Sequence, residues 1–159
     1  MKLILSLLFV AFLTISIQHS PQGKEKDKFE LKDDVFLVNG SAVFKLEHQG
    51  GMGYDFKLKT LDDKEVAFLK MMEFNDDKQI SSSNPKGRVT YFDVTFYESG
   101  LKCEIEASFP KKFVGRDLYK HGIIKDNMPD EGAIKNFALI NGSKFSPRAA
   151  GGTIIIINN

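Results

Sequence analysis

Apolar and polar residues alternate strictly along several short stretches of this chain. The clearest is the stretch from Leu101 to Ser108, in which every second residue is apolar and those between are charged or polar. A period of two places one set of side chains in a core and the other in water, as in a half-buried β-strand. Tyr54–Lys59 and Arg88–Tyr97 show the same period, and three further apolar-rich stretches are also predicted to be strands: Val35–Val38, Ser41–Glu47 and Glu65–Phe74.

The connections between these stretches predict antiparallel pairing. Asn39-Gly40 separates the first two, and this dipeptide is the strongest two-residue signal for a β-hairpin. The polar segment Asn75–Gly87 is the longest predicted loop. Most of the connections are too short for a crossover, so neighbouring strands are expected to be antiparallel. The sequence therefore predicts a meander of about six strands.

The periodicity changes after Pro110. Apolar residues from Phe113 onward suit a short helix that ends near His121, and Gly122 follows as its stop. Asp130–Asn141 predicts a second helix, with acidic residues at its start and Gly142 after its end. The expected fold class is α+β: the antiparallel meander with two C-terminal helices packed on or beside it.

The first 18 residues have the pattern of a secretory signal peptide. Lys2 is the one charge before residue 24, and Leu3–Ile17 is apolar except for Ser and Thr. Fifteen residues are fewer than the roughly 20 needed to span a bilayer but fit the apolar region of a signal peptide. Cleavage is expected after Ser16 or after Gln18. An uncleaved membrane anchor is the alternative interpretation.

The predicted organisation of the remaining chain has three parts. The polar residues 19–33 are interpreted as a flexible linker. Residues 34–145 are expected to form the α+β domain. Residues 146–159 are expected to form a tail that begins with a loop over Ser146–Gly152. Thr153–Ile157 is continuously β-branched, so a strand is predicted there, added to the edge of its own sheet or of a partner's.

Charge and cysteine content restrict the class of protein. The chain has 22 basic and 21 acidic residues, and removing residues 1–18 takes away one base and no acid. This balance argues against a nucleic-acid binder and against a polybasic membrane-surface protein. Cys103 is the single cysteine, so an intramolecular disulfide is impossible. A secreted chain without disulfides favours a periplasmic or envelope location.

No catalytic, metal or cofactor motif stands out. The alternation around Cys103 predicts a buried and unreactive thiol, and neither His48 nor His121 belongs to a recognisable triad. The glycine-rich segment His48–Gly53 lacks the helix and the Lys-Ser/Thr ending of a phosphate loop. The acids of Asp126–Glu131 suit helix capping better than metal binding. We therefore predict no enzyme activity and no cofactor.

Two sets of residues are candidates for binding. Four phenylalanines would line an apolar cavity between the sheet and the helices if the protein bound a small molecule or a lipid: Phe56, Phe68, Phe92 and Phe96. The four isoleucines of the tail would contact a protein partner: Ile154, Ile155, Ile156 and Ile157.

Three segments of the helical region form a pattern: Asp117–Asp126, Glu131–Phe137 and Asn141-Gly142-Ser143. In these segments the chain resembles small secreted or periplasmic proteins of Bacteroidota that are uncharacterised as a family. Asn127 departs from it, because a glycine is usual at that position. The resemblance implies an envelope location and assigns no activity or site residue.

The leading hypothesis is a non-enzymatic envelope protein that binds or supports another macromolecule, and the alternative is a small-molecule or lipid binder.

We predict that the mature chain begins between residues 17 and 19 and is recovered outside the cytoplasm. The reason is the basic start, the short apolar stretch and the small residues Thr14 and Ser16 before the expected cleavage site. N-terminal sequencing of the native protein tests this. An intact Met1 in the extracted membrane fraction would contradict it.

Overall fold

A computed structural model describes residues 26–50, 54–107 and 111–149 of the chain, together with the backbone of Ile154 and Ile155. Seven strands follow one another as an antiparallel meander in which each strand pairs with the next. Their bounds are Phe29–Lys32 (β1), Val35–Val38 (β2), Ser41–Gln49 (β3), Asp55–Lys59 (β4), Glu65–Asn75 (β5), Arg88–Phe96 (β6) and Lys102–Glu106 (β7). The predicted α+β meander is confirmed.

The alternating residues of the strands lie on opposite faces of the sheet, the apolar set on one face and the polar set on the other. Across β5, β6 and β7, Leu69 lies opposite Val94, and Val94 lies opposite Cys103. These three side chains are at most 2% exposed and belong to the main core cluster. We call this side the helix-covered face. The opposite side, the outer face, carries residues such as Lys57 and Lys59, which are only partly exposed and pair with acidic residues.

Strand β1 corrects the prediction of a flexible linker over residues 19–33. Phe29–Lys32 pairs antiparallel with β2, and Asn39 closes the pair by donating its N–H to the carbonyl of Lys28 at 2.9 Å. Phe29 and Leu31 pack against the core cluster. Two apolar side chains with the right alternation are thus enough to add a strand to an existing sheet, although acids and lysines surround them.

Two helices and a small hairpin lie on the helix-covered face, and together we call them the helical layer. The helices are Lys112–Lys120 (α1) and Glu131–Asn141 (α2), and the hairpin between them is formed by Ile124–Lys125 (β8) and Met128–Pro129 (β9). Apolar residues of all these parts join the core, including Val114, Leu118, Ile124, Ile134 and Phe137.

Helix α1 lies very close to the sheet. Gly115 faces the fully buried ring of Phe36, and a Cβ at residue 115 would stand 2.5 Å from Cδ2 of that ring. Lys111, which precedes the helix, donates to Oδ1 of Asp34 at 2.6 Å and fixes the helix start to the β1–β2 turn. Glycine at position 115 is therefore required by the close approach rather than by backbone conformation.

The tail after α2 contains two further short elements. Ser146–Ala149 forms a helical turn (α3), where a loop was expected. The backbone of Ile154–Ile155 forms a last strand (β10), which pairs antiparallel with β5. The predicted C-terminal strand is thus present on the chain's own sheet. The side chains of Ile154 to Ile157 and the segment 1–18 lie outside the described residues.

We predict that Gly115→Ala destabilises the protein by about 1–2 kcal/mol. Overpacking against Phe36 costs about 1–3 kcal/mol, and the better helix propensity of Ala returns up to about 1 kcal/mol. Urea unfolding followed by circular dichroism measures the change. Gly132→Ala is the matched control, because its Cβ would meet nothing closer than 3.4 Å. If both variants were stabilised alike, the close approach would be disproved.

Candidate functional site

The structure does not bring the four candidate phenylalanines together. Phe56, Phe92 and Phe96 lie on the helix-covered face and are each at most 1% exposed. The rings of Phe56 and Phe92 are 5.5 Å apart, so they fill the core and do not line an open cavity. Phe68 lies opposite Thr95 and Lys57, on the outer face. These positions give the lipid-binding alternative no support.

A shallow groove is lined by Phe96, one of the four phenylalanines. It has a volume of about 260 Å³ and lies where α2 begins, beside the β6–β7 turn, with Phe96, Leu101 and Ile134 among its lining residues. Because Phe96 is almost completely covered by its neighbours, the groove ends at the core and does not enter it. It is smaller than the cavities of about 300–1,000 Å³ that enclose drug-sized ligands.

The three residues considered for catalysis have structural contacts of their own. Cys103 is 2% exposed, and burial raises the pKa of its thiol to about 12. The ring of His121 packs on Phe137, and its Nδ1 lies 2.9 Å from the carbonyl oxygen of Asp117. His48 packs edge-on against Phe56 in a different part of the sheet. Cys103 is therefore a core residue, as its alternation predicts.

The acidic residues near α2 stabilise backbone structure. Asp130 precedes α2, and its carboxylate accepts the N–H of Ala133 at 2.9 Å, which is the predicted helix cap. Asp126 and Asn127 both have positive φ and form the turn of the β8–β9 hairpin. Among the residues that the structure describes, no group of three or more His, Cys, Asp or Glu side chains could hold a metal ion.

The C-terminal strand lies at an edge of β5 that β4 leaves open. Strand β4 pairs with β5 as far as Leu69, and the carboxylate of Asp55 then accepts the N–H of Met71 at 2.8 Å. Beyond this point β10 pairs with Glu73 and Phe74. Three groups therefore cover this edge of β5 one after another: strand β4, the side chain of Asp55 and strand β10.

A buried glutamate positions the tail. Glu104 of β7 is 6% exposed, and its carboxylate accepts the backbone N–H of Phe145 at 2.6 Å and of Ser146 at 3.1 Å. The ring of Phe145 stacks on Tyr91 with centroids 5.0 Å apart, on the outer face of the sheet. A second, smaller core forms there from Tyr91, Phe74 and Ala149.

An ion pair also holds α3 on the outer face of the sheet. Arg148 of α3 donates from Nε to Oδ2 of Asp76 at 3.2 Å, and its guanidinium lies over the ring of Phe74. The hydrogen bonds from Arg148 hold the pKa of Asp76 below its usual range. The stabilisation from this pair is therefore present above the ordinary carboxyl pKa and is lost as the pH falls through the lowered value.

Sequence reasoning missed the segment that anchors the tail. Ser146-Pro147 was interpreted as part of a loop, yet proline is favoured in the first turn of a helix, and this was the available signal. The anchoring role of Glu104 had no signal, because an acid in an alternating strand is expected to face water.

Comparison of the chain with protein-family models, with curated proteins and with solved structures finds no match. No helix in the described part of the chain is long and apolar enough to cross a membrane. The resemblance to Bacteroidota envelope proteins stays a prediction.

We predict that Cys103→Ala costs about 1 kcal/mol of stability, through a small cavity, without loss of function. The native thiol should react slowly with a bulky maleimide because it is buried and its pKa is raised. The matched control is Ser82→Cys in the Cys103→Ala background, since Ser82 is exposed. Labelling of Cys103 as fast as that of the control would contradict the prediction.

Proposed function

We propose that the protein is a non-enzymatic component of the envelope, periplasmic or secreted, that binds or supports another macromolecule through its C-terminal strand. The pairing of β10 with the open edge of β5 carries this proposal. Pairing along a strand edge uses backbone groups, so the edge strand of another protein's sheet can satisfy the backbone donors and acceptors of β10 in place of β5.

Because β10 pairs with β5 over a short length, the tail can exchange this pairing for pairing with a partner protein. In the described residues β10 pairs with β5 at two positions, Ile154 with Phe74 and Ile155 with Glu73. Asp55 already occupies the N–H of Met71, which limits extension of the pairing towards β4. Two paired residues contribute little compared with a full strand, so the tail is easily released from β5 to pair over a greater length with the edge of a partner's sheet.

The anchor before β10 keeps the strand near its site during exchange. The contacts of Phe145, Ser146 and Arg148 with the sheet hold the chain up to Ala149. Gly151 and Gly152 then separate this anchor from the strand. The tail can therefore leave β5 and pair with the edge of a partner's sheet while the rest of the domain stays folded.

We predict that Ile155→Pro lowers both the melting temperature and the recovery of partner proteins from the native envelope, because proline removes a backbone donor. Ile155→Val is the matched control: it keeps the N–H and the β-branched shape, and it should behave like the wild type. Partners are quantified by mass spectrometry after purification under identical conditions. Deleting residues 153–159 should have at least the effect of the proline variant.

An unchanged melting temperature, solubility and set of partners in the deletion variant would disprove the proposal. A lower melting temperature with unchanged partners would assign the strand to stability alone. N-terminal sequencing tests the envelope location separately.

A further inference from the structure

The balanced charge of the whole chain conceals a separation between its two layers. Residues 26–107, which form the sheet, carry 12 basic and 16 acidic side chains. Residues 111–149, which form the helical layer and α3, carry eight basic and four acidic side chains. Arg148 of α3 lies over Phe74 on the outer face, and without it residues 111–145 still carry a net excess of three positive charges.

Most of these basic residues have no acidic partner. Lys111 and Arg148 pair with Asp34 and Asp76. The other six make no ion pair within 4 Å of any acid in the described part of the chain: Lys112, Arg116, Lys120, Lys125, Lys135 and Lys144. Their positive charge is thus available to a partner outside the protein.

The arrangement of charge on α1 works against the helix itself. Lys112, Arg116 and Lys120 are spaced four residues apart, so they form a row on the side opposite the buried residues Val114 and Leu118. Like charges at this spacing destabilise a helix. The first turn contains no acid and Lys111 makes no side-chain cap, although the helix dipole favours negative charge there. Lys112 and Arg116 lie over the ring of Phe113, but the charges of the row do not stabilise the helix.

Exposed aliphatic residues accompany the basic ones. Leu139 and Ile140 of α2 are 72% and 63% exposed, and Met128 of the β8–β9 hairpin is 66% exposed. Both helices pack on the same face of the sheet, so their outward sides belong to the same side of the molecule. Basic and aliphatic side chains together are the composition with which proteins bind the interface of an anionic bilayer.

The residue types favour a lipid surface over an acidic protein. Five of the six unpaired cations are lysines, and protein interfaces are depleted in Lys and enriched in Arg and aromatic residues. The exposed apolar residues are Leu, Ile and Met, whereas hot spots of protein interfaces favour Trp and Tyr. Lysine is attracted to anionic headgroups through long-range electrostatics that need no fixed geometry.

We propose that the outward side of the helical layer docks on an anionic lipid surface. The row of basic residues on α1 contacts the headgroups, and Leu139 and Ile140 enter the boundary between headgroups and acyl chains. This inference uses a different surface from the strand-binding proposal, and either can fail without the other.

Sedimentation with vesicles of phosphatidylglycerol and phosphatidylcholine, compared with phosphatidylcholine alone, tests this inference. Neutralising Lys112, Arg116 and Lys120 to Gln should weaken binding to the anionic vesicles about a hundredfold, since each basic residue near such a surface contributes about fivefold. The matched control neutralises Lys78, Lys86 and Lys102, three exposed lysines of the sheet region. It removes the same total charge and should bind like the wild type.

Two further measurements separate the contributions. Raising the salt to 0.5 M should abolish most of the wild-type binding, because the Debye length shortens to about 4 Å. Replacing Leu139 and Ile140 by Gln should weaken binding about tenfold with an unchanged melting temperature. If the apolar segment Leu3–Ile17 is retained, it binds neutral and anionic vesicles alike, so the measured quantity is the ratio between the two.

Equal binding by the two triple variants, or equal binding to neutral and anionic vesicles, would overturn the inference. Binding to poly-glutamate without binding to the anionic vesicles would also overturn it and would assign the surface to an acidic protein. If the α1 variant unfolds, the salt dependence and the Leu139/Ile140 variant still decide the question.

Discussion

Covering the apolar face of the sheet is the requirement on which the rest of the structure depends. Seven strands bring side chains such as Phe36, Phe44, Phe56 and Phe92 to one face, each at most 1% exposed. Helices of nine and eleven residues cover this face, and isolated helices of that length are marginal in water. Their stability therefore comes from packing on the sheet, and Gly115 allows α1 to approach closely enough to provide it.

Strand β7 is the point at which the chain passes from one face of the sheet to the other. The N–H of Glu104 donates to the carbonyl of Gly142 at 2.8 Å, just after α2, and the carboxylate of the same residue receives Phe145 and Ser146. Glu104 therefore makes hydrogen bonds to the chain both at the end of α2 and at the start of the segment on the outer face. Because α3 and the small outer core follow directly, Glu104 helps to position β10, together with the Phe145–Tyr91 stack and the Arg148–Asp76 ion pair.

The sequence predicted the elements whose periodicity is unambiguous and failed where it is not. Leu101–Ser108 alternates without exception, and Cys103 is buried as expected. In contrast, Val66 to Leu69 are all apolar, so alternation could not decide which face Phe68 occupies; pairing with β4 and β6 decides it. Strand β1 was missed because two apolar residues among charges resemble a polar linker until a neighbouring strand is present.

The candidate surfaces were predictable to different degrees for related reasons. The tail strand was predictable because Thr153–Ile157 has a local composition that few other structures accommodate. Its site on β5 was not, since it depends on where β4 ends and on the carboxylate of Asp55.

The net charge of the whole chain does not reveal the excess of basic residues in the helical layer. Adding charges over the whole chain discards their position, and the acids of the sheet cancel the lysines of the helices. The field near a surface depends on charges within about a Debye length, roughly 8 Å at physiological salt. A molecule with a net charge near zero therefore presents an attractive face to anions wherever its own acids lie beyond that distance. Net charge excludes a polybasic protein, but it does not exclude a polybasic face.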